Sequence, residues 1–369
     1  MSGLNSERIM MLKYSATIAL ALGIWIAPIP AGLTSQAWHL FAIFATAIFS
    51  IIIAAFPLLT ASMLAVAAAV LTGTVDPAKA FAGFANASVL LVVIAFLVAQ
   101  SVVKSGLGRR ISLMVVRVLG RSTLGLGYSI FLTDAAIAPA FPSNTARGGV
   151  LFPVVLSLAQ NAGSKPEDPE GRRLGGYLMF CGMASLAVSS ALWLTAVSVN
   201  PIGVEIVGRF GVKIDFGSWL VAASVPALTA IFLLPLALYW FFPPGVKATP
   251  DAPTAARETL RSMGPLSRDE KIVAVAFGLM VAGWIMSGVL RLNVTGVAFA
   301  GLGALLAMRV ITLDDIALQG NTLATFLWLA VLFALSSQLN EVGFMGYVGE
   351  RLASALAGLS WPVAYMALL

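Results

Sequence analysis

Residues 142–149 read PSNTARGG, placing a proline, three short polar side chains, an arginine and two glycines between the apolar runs FLTDAAIAPAF and VLFPVVLSLA. Ser143, Asn144 and Thr145 are all good helix N-caps, and Pro142 can end the segment before them. A helix that starts there offers unpaired N–H groups and the positive end of its dipole, which attract an anion. The hydroxyl and amide groups add donors for a carboxylate, while their oxygens can coordinate a small cation. Gly148 and Gly149 allow close approach of backbone or ligand. A second polar cluster, SSALWLTAVSVNPIG, supplies hydroxyls from Ser189, Ser190, Thr195 and Ser198, and Asn200-Pro201 is expected to break a helix. Any one of these hydroxyls could instead bond back onto its own helix.

This is binding chemistry, not bond cleavage. The chain has no His-Glu-x-x-His or Gly-x-Ser-x-Gly motif, and Ser143 has no evident base. His39 is the single histidine and Cys181 the single cysteine, so a multi-histidine zinc site and an intrachain disulfide are both excluded.

The elements that must carry the polar clusters are membrane helices. Over 369 residues the chain is 59% hydrophobic and 10% charged, with mean hydropathy +0.95, far from the usage of soluble domains. Apolar stretches of about 20 residues, enough to cross a ~30 Å hydrocarbon layer, recur along its length. Hydropathy places spans at about 14–30, 37–54, 57–72, 87–103, 174–208 (interrupted), 218–242, 272–290, 294–309 and 321–340. The first could pass for a secretory signal, but further spans follow at once and it reads as a retained helix.

The net charge of +6 reflects an asymmetry across the bilayer, not nucleic-acid binding. With a cytoplasmic amino terminus, basic residues including Lys165 fall mostly inside, a minority including Arg209 fall outside, and Arg147 is left within the membrane. That distribution requires residues 122–160 to enter from and return to the cytoplasmic side as a re-entrant hairpin with PSNTARGG at its tip. Such irregular backbone is tolerated only in a protein-lined or water-filled setting. Asp134 and Arg147 in the hairpin would each cost about 2.5–3.5 kcal/mol at the centre of a span. They are expected to form a salt bridge, with direct contact between Arg147 and a carboxylate as the alternative. Upstream, Arg110, Arg117 and Arg121 share one face of a helix expected to lie in the inner interface.

The two halves of the chain resemble each other. FAGFANASVLLVVIAFLVAQS (81–101) pairs with ALQGNTLATFLWLAVLFALSS (317–337), Thr60 with Thr295, and KSGLG with NEVGF. On this topology the paired spans run in opposite directions, giving an all-α polytopic inverted-repeat architecture with a hairpin and interrupted helices. The divisions are 1–36, an N-terminal helix and loop; 37–242, the first repeat; 243–271, a cytoplasmic linker; and 272–369, an incomplete second repeat. The alignment predicts a partner for the Ser-Asn-Thr tip near residue 380, beyond Leu369, and a complete relative longer by roughly a hundred residues.

PSNTARGG together with SSALWLTAVSVNP resembles the divalent anion:sodium symporter family, and within it the bacterial and plastid branch of 2-oxoglutarate/malate, citrate/succinate and tartrate/succinate translocators. The resemblance covers essentially the whole chain. It implies a dimeric carrier of small di- and tricarboxylates, multi-pass in the bacterial inner membrane, working by alternating access. Substrate would meet Ser143, Asn144, Thr145 and Arg147, with Ser190, Thr195, Ser198 and Asn200 lining the other side. A sodium site would draw on Ser143, Asn144, Thr195 and Ala196. Pro139, however, stands where sodium-coupled members carry a ligating serine, which favours exchange of one dicarboxylate for another over sodium coupling. The rival readings are an anion channel and a membrane scaffold without transport.

Overall fold

The computed structural model describes residues 2–161, 163–164, 169–208, 210–318 and 320–368; Lys165 and Arg209, used in the charge distribution, lie outside the described residues. Among the described residues the chain is helical, with one isolated antiparallel bridge between Ser122 and Ala248.

Local chemistry explains where the helices start. α1 (Ser2–Ile26) is followed by α2 (Ser35–Ile52), whose N-cap Thr34 accepts from the Ala37 amide at 3.1 Å. α3 (Leu58–Leu71) follows Pro57, and α4 (Pro77–Ala80) is capped by Asp76. After a 3₁₀ turn at Ala82–Ala85, the Asn86 side chain accepts from the amides of Ser88 and Val89 and opens α5 (Ala87–Ser105). α6 (Leu107–Leu119) starts at left-handed Gly106, and α7 (Thr123–Ile137) is capped by Ser122. A 3₁₀ turn at Ala138–Ala140 leads to α8 (Asn144–Asn161) and then α9 (Pro169–Leu192).

α10 (Val199–Gly208) and α11 (Phe216–Phe241) are joined by a segment that ends in the Asp215/Ser218 capping box. α12 (Asp251–Ser262) precedes α13 (Arg268–Ile285), opened by a Ser267/Glu270 capping box, and α14 (Ser287–Leu290). α15 (Val294–Ala307), α16 (Leu313–Ala317), α17 (Gly320–Glu341), α18 (Phe344–Leu356) and α19 (Trp361–Leu368) complete the described chain.

Among the described residues six helices are long and apolar enough to cross a membrane: α1, α2, α5, α9, α11 and α17. The spans expected at 57–72 and 294–309 are the 14-residue helices α3 and α15, about 21 Å long at 1.5 Å per residue. On α11 the exposed side chains Val221, Val225, Leu228, Phe232 and Leu236 form a continuous apolar stripe. Water would not tolerate such a surface on a soluble monomer, whereas lipid matches it. The protein is membrane-integral.

The chain forms two compact units, one of residues 1–89 with 320–369 and one of residues 90–319. In the first, α2, α3 and α17 share a core around Leu40, Val331 and Leu335. The 3₁₀ turn runs so close to α17 that a Cβ on Gly83 would lie 1.9 Å from the Ala330 carbonyl oxygen, so only glycine fits there. In the second unit, α7, α8 and α11 pack on α9, α12 packs on α6, and α13 packs on α15.

Helix lengths recur. α2 and α13 both have 18 residues, α3 and α15 both have 14, and α6 and α18 both have 13. α6 and α18 each begin at a left-handed glycine, Gly106 (φ 79°) and Gly343 (φ 86°).

Two expectations are corrected. Asn200-Pro201 does not break the helix; the chain leaves α9 after Leu192, and Pro201 sits in the first turn of α10, where its missing N–H is not needed. Arg110 does not share an interfacial face with Arg117 and Arg121. It is buried, its Nε donating to Glu270 Oε1 at 2.6 Å, its Nη2 to Glu270 Oε2 at 3.1 Å and its Nη1 to the Gly264 carbonyl at 3.0 Å. A side chain that would be costly to leave in an apolar interface instead ties α6 to the turn before α13. Glu270 is also buried, which pushes its pKa up, but the bonds from Arg110 and Ser267 outweigh this and hold the carboxyl below the usual glutamate value.

Candidate functional site

The tip is built by a turn that cannot continue as helix. The Thr195 hydroxyl donates to the Pro139 carbonyl at 2.9 Å and the Ser198 amide to that of Pro142 at 3.0 Å, so the residues before α8 are bonded to the break between α9 and α10. The Ser143 hydroxyl accepts from the Ala146 amide at 3.3 Å, making Ser143 the N-cap of α8. The Arg147 amide reaches the Ser143 carbonyl. The amides of Asn144 and Thr145 are left at the open end of the helix, where α-helical geometry provides no partner.

Arg147 organises the other side. Its Nε lies 2.7 Å from Asp134 Oδ1, and both side chains are fully buried. The ion pair connects α7 and α8 across the turn. The guanidinium also donates to the carbonyls of Ala196 (3.2 Å) and Leu186 (2.6 Å), to Asn144 Oδ1 (3.1 Å) and to Ser190 Oγ (3.0 Å). The charge is thereby both paired and hydrogen-bonded, which is what makes it tolerable in an apolar setting. Ser190 Oγ in turn donates to Asn144 Oδ1 at 2.5 Å, with the Leu186 carbonyl as a second acceptor at 2.6 Å.

The break is fixed from the opposite direction. Asn200 Nδ2 donates to the carbonyls of Ser190 (2.8 Å), in the last turn of α9, and Trp193 (3.2 Å), in the break itself. Trp193 Nε1 donates to the Ala135 carbonyl at 2.9 Å and pins the break onto α7.

The residues singled out from sequence therefore converge. Asn144, Arg147 and Ser190 form one hydrogen-bonded cluster, and Thr195, Ser198 and Asn200 hold the break against the turn. Thr145 is exposed and Ser143 and Asn144 are half-buried, so the tip presents a polar edge, whereas Arg147 and Thr195 are enclosed. The carbonyls of Leu186, Ala196 and Pro142 and the indole of Trp193 are equally part of the construction. Main-chain acceptors carry no residue signature, and only the position of Trp193 inside the polar cluster pointed to it. Among the described residues no group of His, Cys, Asp and Glu side chains could hold a metal ion.

Comparison with known proteins places the chain in a family. A family model described as the sodium:sulfate symporter transmembrane region matches residues 8–369. YflS of Bacillus subtilis, named for malate transport, is 38% identical over 352 residues, 95% of this chain and 74% of that protein. Dicarboxylate transporter 1 of spinach chloroplasts is 36% identical over 354 residues, covering 95% of this chain and 62% of the relative. The L-tartrate/succinate antiporter of Escherichia coli is 31% identical over 378 residues, 97% and 77% of the two chains. The chain spans 62% to 66% of the length of the chloroplast relatives it matches. With residues 8–369 matched by the family model and relatives of 31% to 38% identity over most of their length, the chain belongs to the sodium:sulfate symporter family.

Proposed function

We propose that the protein is a secondary carrier of small di- and tricarboxylates of the malate, 2-oxoglutarate, succinate, tartrate and citrate class, working by alternating access. The observation that carries this reading is the helix N-terminus at Ser143-Asn144-Thr145, held against a second interrupted helix by the Asn144–Ser190–Arg147 cluster. Neutral donors and a helix dipole bind a dianion without a fixed cation, so the site can move either empty or loaded. The names of the relatives support the substrate class. Ser143, Asn144 and Thr145 are assigned to the substrate, with Ser190, Ser198 and Asn200 behind them. Arg147, enclosed and fully engaged, is assigned to shaping the tip.

The recurring helix lengths support an internal repeat, which we read as inverted from the charge distribution, with α7 and α8 as a re-entrant hairpin. We place the protein in the bacterial inner membrane as a homodimer, with its amino terminus and α12 on the cytoplasmic side. Exchange is favoured over sodium coupling. Pro139 offers no side-chain oxygen where a ligating serine would stand, its carbonyl accepts from Thr195, and the Ala196 carbonyl accepts from Arg147, which weakens the candidate cation site.

The test is counterflow of labelled malate in vesicles with sodium varied. Saturable uptake, accelerated by unlabelled dicarboxylate on the far side, retained without sodium and lost in Asn144→Ala while that variant still unfolds cooperatively as a folded protein, is the expected result. Unsaturable current would make the tip an anion filter. Flux indifferent to Asn144→Ala would remove the site from transport.

A further inference from the structure

α6 follows α5 directly, at the end of a membrane-crossing helix, and packs its inner face on α12. Its outer side keeps Met114 (44% exposed) and Val118 (72% exposed) uncovered, with Arg117 exposed between them. α12 adds Arg257 and Arg261, one turn apart. These three arginines and Leu260 wall a recess of about 460 Å³. Among the described residues, none of the three has an ion-pair partner. The contrast with Arg110 on the same helix, which is fully paired with Glu270, shows that α6 uses its arginines in two ways.

Three guanidinium groups around one recess repel each other unless an anion lies between them. Their planar forks match the oxygens of a phosphate group better than single charges would. An amphipathic helix at the end of a span lies in the headgroup region, with its apolar side chains against the acyl boundary. We propose that Arg117, Arg257 and Arg261 form a site for the phosphate of an anionic phospholipid headgroup, with Met114 and Val118 resting on its acyl chains. Free phosphate shares the oxyanion chemistry, but the two exposed apolar side chains on α6 that flank Arg117 in sequence select the lipid. The site is separate from the tip and does not depend on the transport reading. It has a mechanical link to the hairpin, because the segment leading into α12 is bonded to the start of α7: the Thr123 hydroxyl donates to the Val246 carbonyl at 2.6 Å and the Thr249 amide to the Arg121 carbonyl at 3.0 Å.

The test uses the purified protein in neutral detergent, titrated separately with phosphatidylglycerol, phosphatidylcholine and inorganic phosphate. Bound lipid is counted by native mass spectrometry, and the melting temperature is followed in parallel. Phosphatidylglycerol is expected to stay bound and to raise the melting temperature, an effect that weakens with added salt; phosphatidylcholine and inorganic phosphate should do neither. Arg117→Gln, Arg257→Gln and Arg261→Gln should each weaken phosphatidylglycerol binding roughly fivefold, while Lys213→Gln, in the exposed segment before α11, should leave it unchanged. If the arginine variants retain phosphatidylglycerol as the unaltered protein does, or if phosphatidylcholine binds equally well, the site does not exist. If inorganic phosphate alone reproduces the stabilisation, the lipid assignment is wrong. Because the single changes are at exposed positions, folding is preserved in at least Arg257→Gln, and the comparison of lipids and salt on the unaltered protein stands whatever the variants do.

Discussion

Arg147 Nε sits 2.7 Å from Asp134 Oδ1 with both side chains out of contact with solvent, and this pair joins the helices on either side of the tip. Removing one partner strands a buried charge. Asp134→Asn and Arg147→Met are each expected to destabilise the protein by about 3–5 kcal/mol, whereas the double variant Asp134→Leu/Arg147→Met should recover most of the loss. Unfolding in detergent across the double-mutant cycle checks this. The double variant should nevertheless fail in counterflow, since the bonds from Arg147 to Asn144 and Ser190 go with it.

Ser190 stands between Arg147 and Asn144 and contributes one hydroxyl to both. Ser190→Ala is expected to cost about 1 kcal/mol in stability. The freed Asn144 amide can then rotate, so the half-saturation concentration for malate should rise by more than the stability loss alone suggests. Parallel melting curves and counterflow kinetics separate the two effects.

Gly83 and Gly176 make opposite predictions. A Cβ at Gly83 would meet the Ala330 carbonyl oxygen at 1.9 Å, while one at Gly176, inside α9, would meet nothing within 4 Å. Gly83→Ala should force the 3₁₀ turn off α17 and cost about 1–3 kcal/mol. Gly176→Ala should stabilise by about 0.5–1 kcal/mol through lost unfolded-state entropy. Melting temperatures of the two variants give the sign.

Glu270 sets a pH dependence outside the membrane. Burial raises its pKa, but the bonds from Arg110 and Ser267 hold it below the unfolded value. The stabilisation from this depressed pKa is fully present above the ordinary glutamate range and is lost as pH falls through the folded value. The melting temperature should therefore drop on acidification below the ordinary glutamate pKa, and Glu270→Gln should lower it at neutral pH while flattening that drop. An unchanged acid limb in Glu270→Gln would assign the titration to other carboxylates.

Much of the molecule was legible in its residues. Hydropathy is additive along a helix, so the spans at 87–103 and 321–340 emerge as α5 and α17 within a few residues. Capping is local, so a helix start within Ser143-Asn144-Thr145 was legible from residue type, and the bond from the Ala146 amide selects Ser143 as the cap. The break within 174–208 was also visible, because a cluster of hydroxyls and an Asn-Pro pair interrupt an apolar run. Its position was not. Pro201 is compatible with a first turn as well as with a break, and the choice was made by the bonds of Asn200 back to the Ser190 and Trp193 carbonyls.

The sequence by itself determined a membrane-integral, helical chain with a polar interruption at Ser143-Asn144-Thr145, because composition, periodicity and capping act over a few residues. Only the tertiary structure decided the partners of its charges. Arg110 and Arg117 are seven residues apart on one amphipathic helix, yet Arg110 turns inward to Glu270, 160 residues away, while Arg117 stays exposed beside Arg257 and Arg261. Two of the five partners of Arg147 are main-chain carbonyls that no residue type announces. Burying a charge requires an arrangement of acceptors from several helices, and that arrangement exists only once those helices have packed.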